Sequence, residues 1–179
     1  CRALGRRAAP AWHEGIILAR QIVHEPTHAL TLAREAVESF PTRSELWQIL
    51  VEILEDASAW DELYDVLRRL ALHSKGKDKA EALLRAAGVA DESLSDMDKA
   101  VDSAVLAYLE GSGEAEAGTI VERLASSPEH YSRAIEAWRA KPMAAEKRAV
   151  QFRLSRWLVA WEIEAAWVQE ELLECLKYD

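Results

Sequence analysis

Apolar residues recur at helical spacing through residues 44–71, SELWQILVEILEDASAWDELYDVLRRLA, and they fall into two stripes. The first stripe consists of Leu46, Trp47, Leu50, Ile53 and Leu54, and the second of Trp60, Leu63, Tyr64, Leu67 and Leu70. A connection of only about four residues makes two helices antiparallel neighbours, so the stripes are expected to face each other. Because such a pair still leaves apolar surface on its outer sides, the pattern predicts further helices on both flanks.

Proline, glycine and capping residues divide the rest of the chain into further predicted helices. These helices cover 10–23, 26–40, 77–91, 97–110, 116–126 and 128–141, followed by a segment 144–177 that is expected to break near 163–167. The start signals are Thr42 with Glu45, Ser58 with Asp61, Ser95 or Asp96, and Ser127 before Pro128. GSGE at 111–114 is the expected loop, and the absence of period-two alternation predicts no sheet.

An internal repeat runs through these helices at the length of one helical hairpin. Its central positions are Ala29, Leu63, Ala100, Ala134 and Leu172, with successive gaps of 34, 37, 34 and 38 residues. Four residues further on, each unit again has an apolar residue: Ala33, Leu67, Ala104, Trp138 and Leu176. A period of this kind is typical of a helical repeat array, in which each unit buries its apolar face against its neighbours.

This pattern resembles the tetratricopeptide repeat, whose signature is W-x2-L-G-x2-Y, then A-x3-F, then P. In 44–71 the matching residues are Trp47, Leu50, Leu54 in place of the tyrosine, Leu63 for the alanine and Leu67 for the phenylalanine. Val51 stands at the glycine position, and no unit carries the full signature. Half-a-tetratricopeptide repeats and other helical-hairpin solenoids remain alternatives.

The resemblance implies an all-α fold, a right-handed α-solenoid of about five antiparallel helical hairpins. The corresponding units are 10–43, 44–77, 78–113, 114–143 and 144–179 of a single array over 1–179. It also implies that a peptide, helix or partner domain docks on the concave wall. Family members that clamp a C-terminal carboxylate use Lys and Asn on that wall, whereas Glu14, Leu18, Gln21 and Ile22 stand at those positions here. Binding of a chaperone tail is therefore disfavoured.

Composition and charge narrow the class of partner. Half of the residues are hydrophobic, 30% are charged, and there are only 7 Gly and 5 Pro, which favours a folded, helical protein over a disordered one. The net charge of −9 argues against nucleic acid and anionic membranes as partners. No apolar run approaches the roughly 18–20 residues that cross a bilayer, so membrane insertion is not expected.

The two cysteines, Cys1 and Cys175, give neither a disulfide framework nor zinc-ligand spacing, which fits a reduced, cytoplasmic setting. We interpret the chain, which begins on Cys1 without a methionine, as a fragment of a longer polypeptide or assembly. The alternative is the lipidated N-terminal cysteine of a lipoprotein, although helix-forming residues follow at once without a tether.

His24, Glu25 and His28 match the letters H-E-x-x-H of zinc proteases. That chemistry needs both histidines one turn apart on a continuous helix, with the glutamate as general base. Pro26 lies between them and interrupts such a helix, so the stretch is interpreted as a turn with a proline helix start. We expect no metal there.

The remaining chemistry-bearing residues indicate no enzyme. His13, His73 and His130 stand alone near predicted helix ends and are expected to be exposed to solvent. The seven tryptophans and Cys175 are expected to be mostly core residues. Since no phosphate-binding loop or catalytic arrangement can be argued, no catalytic, metal or cofactor residue is predicted.

The predicted partner-binding residues lie on the concave wall of the second unit. They are Glu45, Gln48, Glu52, Glu55 and Asp56, and their four carboxylates would favour a basic or helix-N-terminal partner. An ordinary solvated face is the alternative reading of the same stripe. The leading hypothesis is a non-enzymatic protein–protein interaction scaffold. The alternatives are a structural or regulatory segment packing on another domain of the same polypeptide and, more remotely, a metallo-hydrolase.

Overall fold

The computed structural model describes residues 9–21, 26–110 and 114–124, together with Ser127, Glu129, His130 and Arg133. The chain divides into two compact units, Cys1–Ser126 and Ser127–Asp179. All the helices described below belong to the first unit. The helices predicted over 128–141 and 144–177 lie outside the described residues, apart from Glu129, His130 and Arg133.

The described part of the first unit is entirely helical, without a strand, as the sequence predicts. Its helices are α1 (Ala9–Gln21), α2 (Pro26–Ser39), α3 (Ser44–Asp56), α4 (Trp60–His73), α5 (Gly76–Gly88), α6 (Met97–Leu109) and α7 (Glu114–Leu124), with a π-helical turn, Val89–Ser93, after α5. Each helix packs against the next one along the chain. No helix in these described ranges is both long enough and apolar enough to span a bilayer.

The predicted core of the α3–α4 pair is confirmed. All five residues of the first stripe are buried, and Leu63, Tyr64 and Leu67 of the second stripe are buried as well, while Trp60 and Leu70 are half-buried. Helix α3 also buries Ile49 and Val51, because α2 packs on one side of it and α4 on another. Fully burying a side chain of this size stabilises the fold by about 1.5–3 kcal/mol.

The repeat positions hold alanine in α2 and α6 and leucine in α4, and the small alanines let neighbouring helices approach closely. The three central positions within the described ranges, Ala29, Leu63 and Ala100, are all 0% exposed. The positions four residues later, in the same three helices, are also 0% exposed: Ala33, Leu67 and Ala104. The periodic residues therefore form the interior of α2, α4 and α6.

The capping boxes predicted at Thr42 and at Ser58 do not form, although α3 and α4 begin close to these residues. The residue before α3 is Arg43 and the residue before α4 is Ala59, and neither helix receives a side-chain cap hydrogen bond. Ser58 instead has φ 53° and closes α3. The N–H of Ala59 donates to the carbonyl of Leu54, and the N–H of Ser58 to that of Glu55, both at 3.0 Å. This is a Schellman C-terminal motif, in which a left-handed residue follows the helix.

The other two start signals are confirmed. The Asp96 carboxylate accepts a hydrogen bond from the backbone N–H of Lys99 at 3.0 Å and caps α6. Ser95, with φ 54°, takes the left-handed conformation that ends the preceding π-helical turn. The Oγ of Ser127 accepts from the backbone N–H of His130 at 3.2 Å, the geometry of an N-cap.

Candidate partner-binding surface on helix α3

The five residues predicted on the concave wall form the solvent-facing stripe of α3. Glu45, Gln48, Glu52, Glu55 and Asp56 are all exposed, because their spacing places them on one face of the helix. Of the other residues in α3, only Ser44 is exposed, and the remaining seven are buried. The structure therefore brings the predicted residues together on one accessible surface, which we call the α3 stripe.

A cation from the preceding hairpin lies on the α3 stripe. The Arg20 guanidinium of α1 donates from Nη1 to Oε2 of Glu52 at 3.0 Å and from Nη2 to a carboxylate oxygen of Asp56. Glu52 and Asp56 are one helical turn apart, so a single guanidinium reaches both. The hydrogen bond to Glu52, supported by Asp56, raises the pKa of Arg20 above its ordinary value.

A second cation comes from the following hairpin. Arg85 of α5 donates from Nη2 to Oε1 of Glu55 at 2.6 Å. Three of the four carboxylates on the α3 stripe thus have an arginine partner from α1 or α5, whereas Glu45 makes no ion pair with a described residue. The pattern of the hairpin 44–71 alone does not indicate these arginines. Along the sequence, Arg20 is 32 residues from Glu52 and Arg85 is 30 residues from Glu55, and both separations are close to the repeat period.

Equivalent exposed positions occur on α1, α3 and α5. In chain order they are Ala11, Glu14 and Leu18 of α1, then Glu45, Gln48 and Glu52 of α3, then Asp78, Glu81 and Arg85 of α5. The Arg20 and Arg85 ion pairs join α1 and α5 to α3, so these three stripes belong to one surface. Its stripe positions carry mostly carboxylates, together with one large apolar side chain, Leu18, which is 49% exposed.

One end of this surface opens into a groove of about 340 Å³ between α1 and the start of α3. Its ionisable lining residues are His13, Glu14, Arg43 and Glu45, and its apolar lining residues are Ala9, Pro10 and Leu46. The groove therefore offers groups of both charge signs beside a small apolar area. Glu45, a predicted wall residue, is shared between the groove and the α3 stripe.

The even-numbered helices are joined by their own ion pairs. Arg34 of α2 binds the Glu62 carboxylate of α4 through two hydrogen bonds, Nε to Oε1 at 2.6 Å and Nη2 to Oε2 at 2.5 Å. The hydrogen bonds to Glu62 raise the pKa of Arg34. Arg69 of α4 pairs in return with Glu38 of α2. Partners 28 and 31 residues apart thus connect equivalent helices of successive hairpins.

The buried hydroxyl of Ser103 is satisfied by contacts within this unit. Ser103 is fully buried in α6, and its hydroxyl donates to the Tyr64 hydroxyl at 3.3 Å. Arg68 donates to Ser103 from the other side at 3.5 Å, and the Lys99 ammonium lies 5.3 Å from the centre of the Tyr64 ring. These contacts fix α4 against α6, and we assign them a structural role.

The predictions for the histidines hold only in part. His73 is exposed, as expected, and its ring stacks on Trp47 with centroids 5.7 Å apart. His13 is half-buried in the wall of the groove. The expectation for His130 is wrong, since it is only 4% exposed.

The H-E-x-x-H letters fall at a helix boundary. Helix α1 ends at Gln21 and α2 begins at Pro26, so the proline start is confirmed, and His28 is exposed on α2. His24 and Glu25 lie outside the described residues. Within the residues that the structure does describe, no group of three or more His, Cys, Asp or Glu side chains could hold a metal ion.

Comparison with protein-family models found none that matches this chain. A comparison with curated proteins likewise found no match. The resemblance to the tetratricopeptide repeat therefore stays a prediction from the residues quoted above.

Proposed function

We propose that this chain is a non-enzymatic scaffold that binds a protein or peptide partner on the surface formed by α1, α3 and α5. In this proposal the helices build a right-handed α-solenoid like that of tetratricopeptide repeats. The exposed stripes of α1, α3 and α5 then form its concave wall. The stripe residues that contact the partner are Glu45, Gln48, Glu52, Glu55 and Asp56.

The observation that carries the proposal is the regular spacing of contacts between hairpins. Arg20 reaches Glu52 and Arg85 reaches Glu55 along one side, while Arg34 reaches Glu62 along the other. These ion pairs join residues 32, 30 and 28 positions apart, which lie on equivalent helices of successive hairpins. A helical repeat array has this arrangement, and its stacked equivalent helices create an extended binding surface.

The charge of the surface favours a partner with basic side chains. The stripe positions of α1, α3 and α5 hold several carboxylates, and Arg20 and Arg85 offset only part of their charge. The groove at Glu45 adds room for a side chain beside Leu46. Exposed Leu18 supplies an apolar contact on the same surface.

The test replaces stripe residues that have no arginine partner, so that the fold is left intact. Glu45→Lys with Gln48→Lys reverses the charge at one end of the stripe without breaking the Arg20 or Arg85 ion pairs. Partners are captured from source lysate with the immobilised protein and identified by mass spectrometry. We expect the double variant to lose the main captured protein while its circular dichroism spectrum stays helical.

A matched control changes charge to the same extent elsewhere. Glu35→Lys with Asp65→Asn also raises the net charge by three, and it replaces two exposed residues of α2 and α4, which lie outside the proposed surface. This control is expected to capture the partner as the wild type does. Equal loss in both variants, or capture that is unchanged in the stripe variant, would refute a binding role for the stripe.

A further inference from the structure

The arginines on the α3 stripe occupy the groups that a basic partner would use. Arg20 binds Glu52 at 3.0 Å and also Asp56, and Arg85 binds Glu55 at 2.6 Å. Both arginines come from helices that lie beside α3 on the proposed binding surface. A lysine or arginine of a partner that approached these carboxylates would therefore meet a guanidinium that is already bound.

The ion pairs are exposed enough to be exchanged. The side chain of Arg20 is 33% exposed, those of Glu52 and Asp56 are 60% and 65% exposed, and that of Arg85 is 44% exposed. Exposed ion pairs add little net stability and are screened by salt. A displaced guanidinium would return to water rather than be left buried and unpaired. A partner cation can thus replace Arg20 without disrupting the core.

We infer that Arg20 and Arg85 are internal competitors for the α3 stripe, which basic partners must displace in order to bind. This inference rests on the proposed binding role of the stripe. Under this competition, the affinity of a partner depends on how many cations it presents. A single cation only takes the place of one arginine, so it adds no further ion pair. Several linked cations replace both arginines and also reach Glu45, which makes no ion pair with a described residue.

The test measures binding of a fluorescently labelled oligolysine peptide by anisotropy at low ionic strength. The proteins are the full chain in wild-type form, Arg20→Gln, Arg85→Gln and the double variant. Loss of each arginine is expected to tighten binding about two- to fivefold, because the peptide no longer has to break one exposed ion pair. The double variant is expected to bind most tightly, and added salt should reduce all the differences.

Two controls separate competition from a general change of charge. Arg34→Gln also removes one ion-paired arginine, but from Glu62 on the other set of helices, so its effect should be smaller than that of Arg20→Gln. In a Glu52→Gln, Asp56→Asn background, Arg20→Gln should no longer tighten binding. Equal effects of Arg20→Gln and Arg34→Gln, or a gain that persists in this background, would overturn the inference.

Failure of the competition and failure of the proposed binding role give different results in these experiments. Capture of the natural partner that ignores Glu45→Lys with Gln48→Lys refutes the binding role, whatever the peptide titration shows. An oligolysine affinity that does not respond to Arg20→Gln refutes the competition, even if the natural partner is lost in the stripe variant.

Discussion

The indole Nε1–H of Trp47 donates a hydrogen bond to the carbonyl oxygen of Pro41, and the two atoms are 2.8 Å apart. Pro41 lies in the connection between α2 and α3, so this bond ties the connection to the core of the next hairpin. The indole ring is also covered by the Arg69 guanidinium, 5.6 Å from its centroid, and by the stacked His73 ring. One buried side chain thus links the α2–α3 connection, α3 and α4.

Trp47→Phe should destabilise the fold by about 1–3 kcal/mol. The change removes the hydrogen bond to Pro41 and weakens the contacts with Arg69 and His73, while keeping an aromatic ring in the core. Urea unfolding followed by circular dichroism measures the difference. Trp60→Phe is the control: Trp60 is half-buried, and its replacement should cost less than about 1 kcal/mol. Equal costs at the two positions would contradict this role of Trp47.

Ser58→Gly should stabilise the protein by about 0.5–1 kcal/mol. Ser58 has φ 53°, a conformation that costs an L-residue energy and that glycine adopts freely. Glycine is also the usual residue at this position of a Schellman motif. The same substitution at Ser44, the first residue of α3, should stabilise nothing, because no such strain exists there. If Ser58 instead capped α4, Ser58→Gly would lower the melting temperature.

Asp96→Ala should destabilise the protein by about 0.5–2 kcal/mol at neutral pH, because it removes the cap of α6. Thr42→Ala should be nearly neutral, within about 0.5 kcal/mol, since the capping box predicted at that residue does not form. Urea unfolding of both variants gives the comparison. A larger cost at Thr42 than at Asp96 would mean that the helix starts are assigned wrongly.

The contribution of Asp96 should depend on pH. The hydrogen bond from the Lys99 N–H lowers the pKa of Asp96 below its ordinary value of 3.8. Because the folded state then binds fewer protons than the unfolded state, this stabilisation is fully present above the unfolded pKa. It is lost as pH falls through the folded pKa. The stability difference between wild type and Asp96→Ala should therefore shrink below about pH 4. A difference that stays constant into acid would contradict the cap.

Leu54→Ala should cost about 2–5 kcal/mol, since Leu54 is 0% exposed between the packed helices and its truncation leaves a cavity. Leu72→Ala is the matched control. Leu72 lies in the last turn of α4 and is 79% exposed, so the same truncation should cost less than about 0.5 kcal/mol. Similar costs at the two positions would contradict the described packing of α3 and α4.

Local sequence patterns are enough to predict the helices, their approximate ends and the residues that face the interior. Helical spacing of Leu46, Leu50 and Leu54 is enough to predict a buried stripe, because burial depends on local periodicity. The same periodicity placed Glu45, Gln48 and Glu52 on the exposed side. Proline starts and the Asp96 cap were also local signals, since each depends on residues within one turn of the helix.

Which charges meet, and which serine ends a helix, depends on how the helices pack against one another. The pairing of Arg20 with Glu52 joins residues 32 positions apart, and its geometry follows from the packing of successive hairpins. Ser58 could serve either as the cap of α4 or as the left-handed end of α3. The choice depends on the path that the chain takes between two packed helices. Local patterns thus specify the elements, whereas the charge balance of the α3 stripe arises from contacts between them.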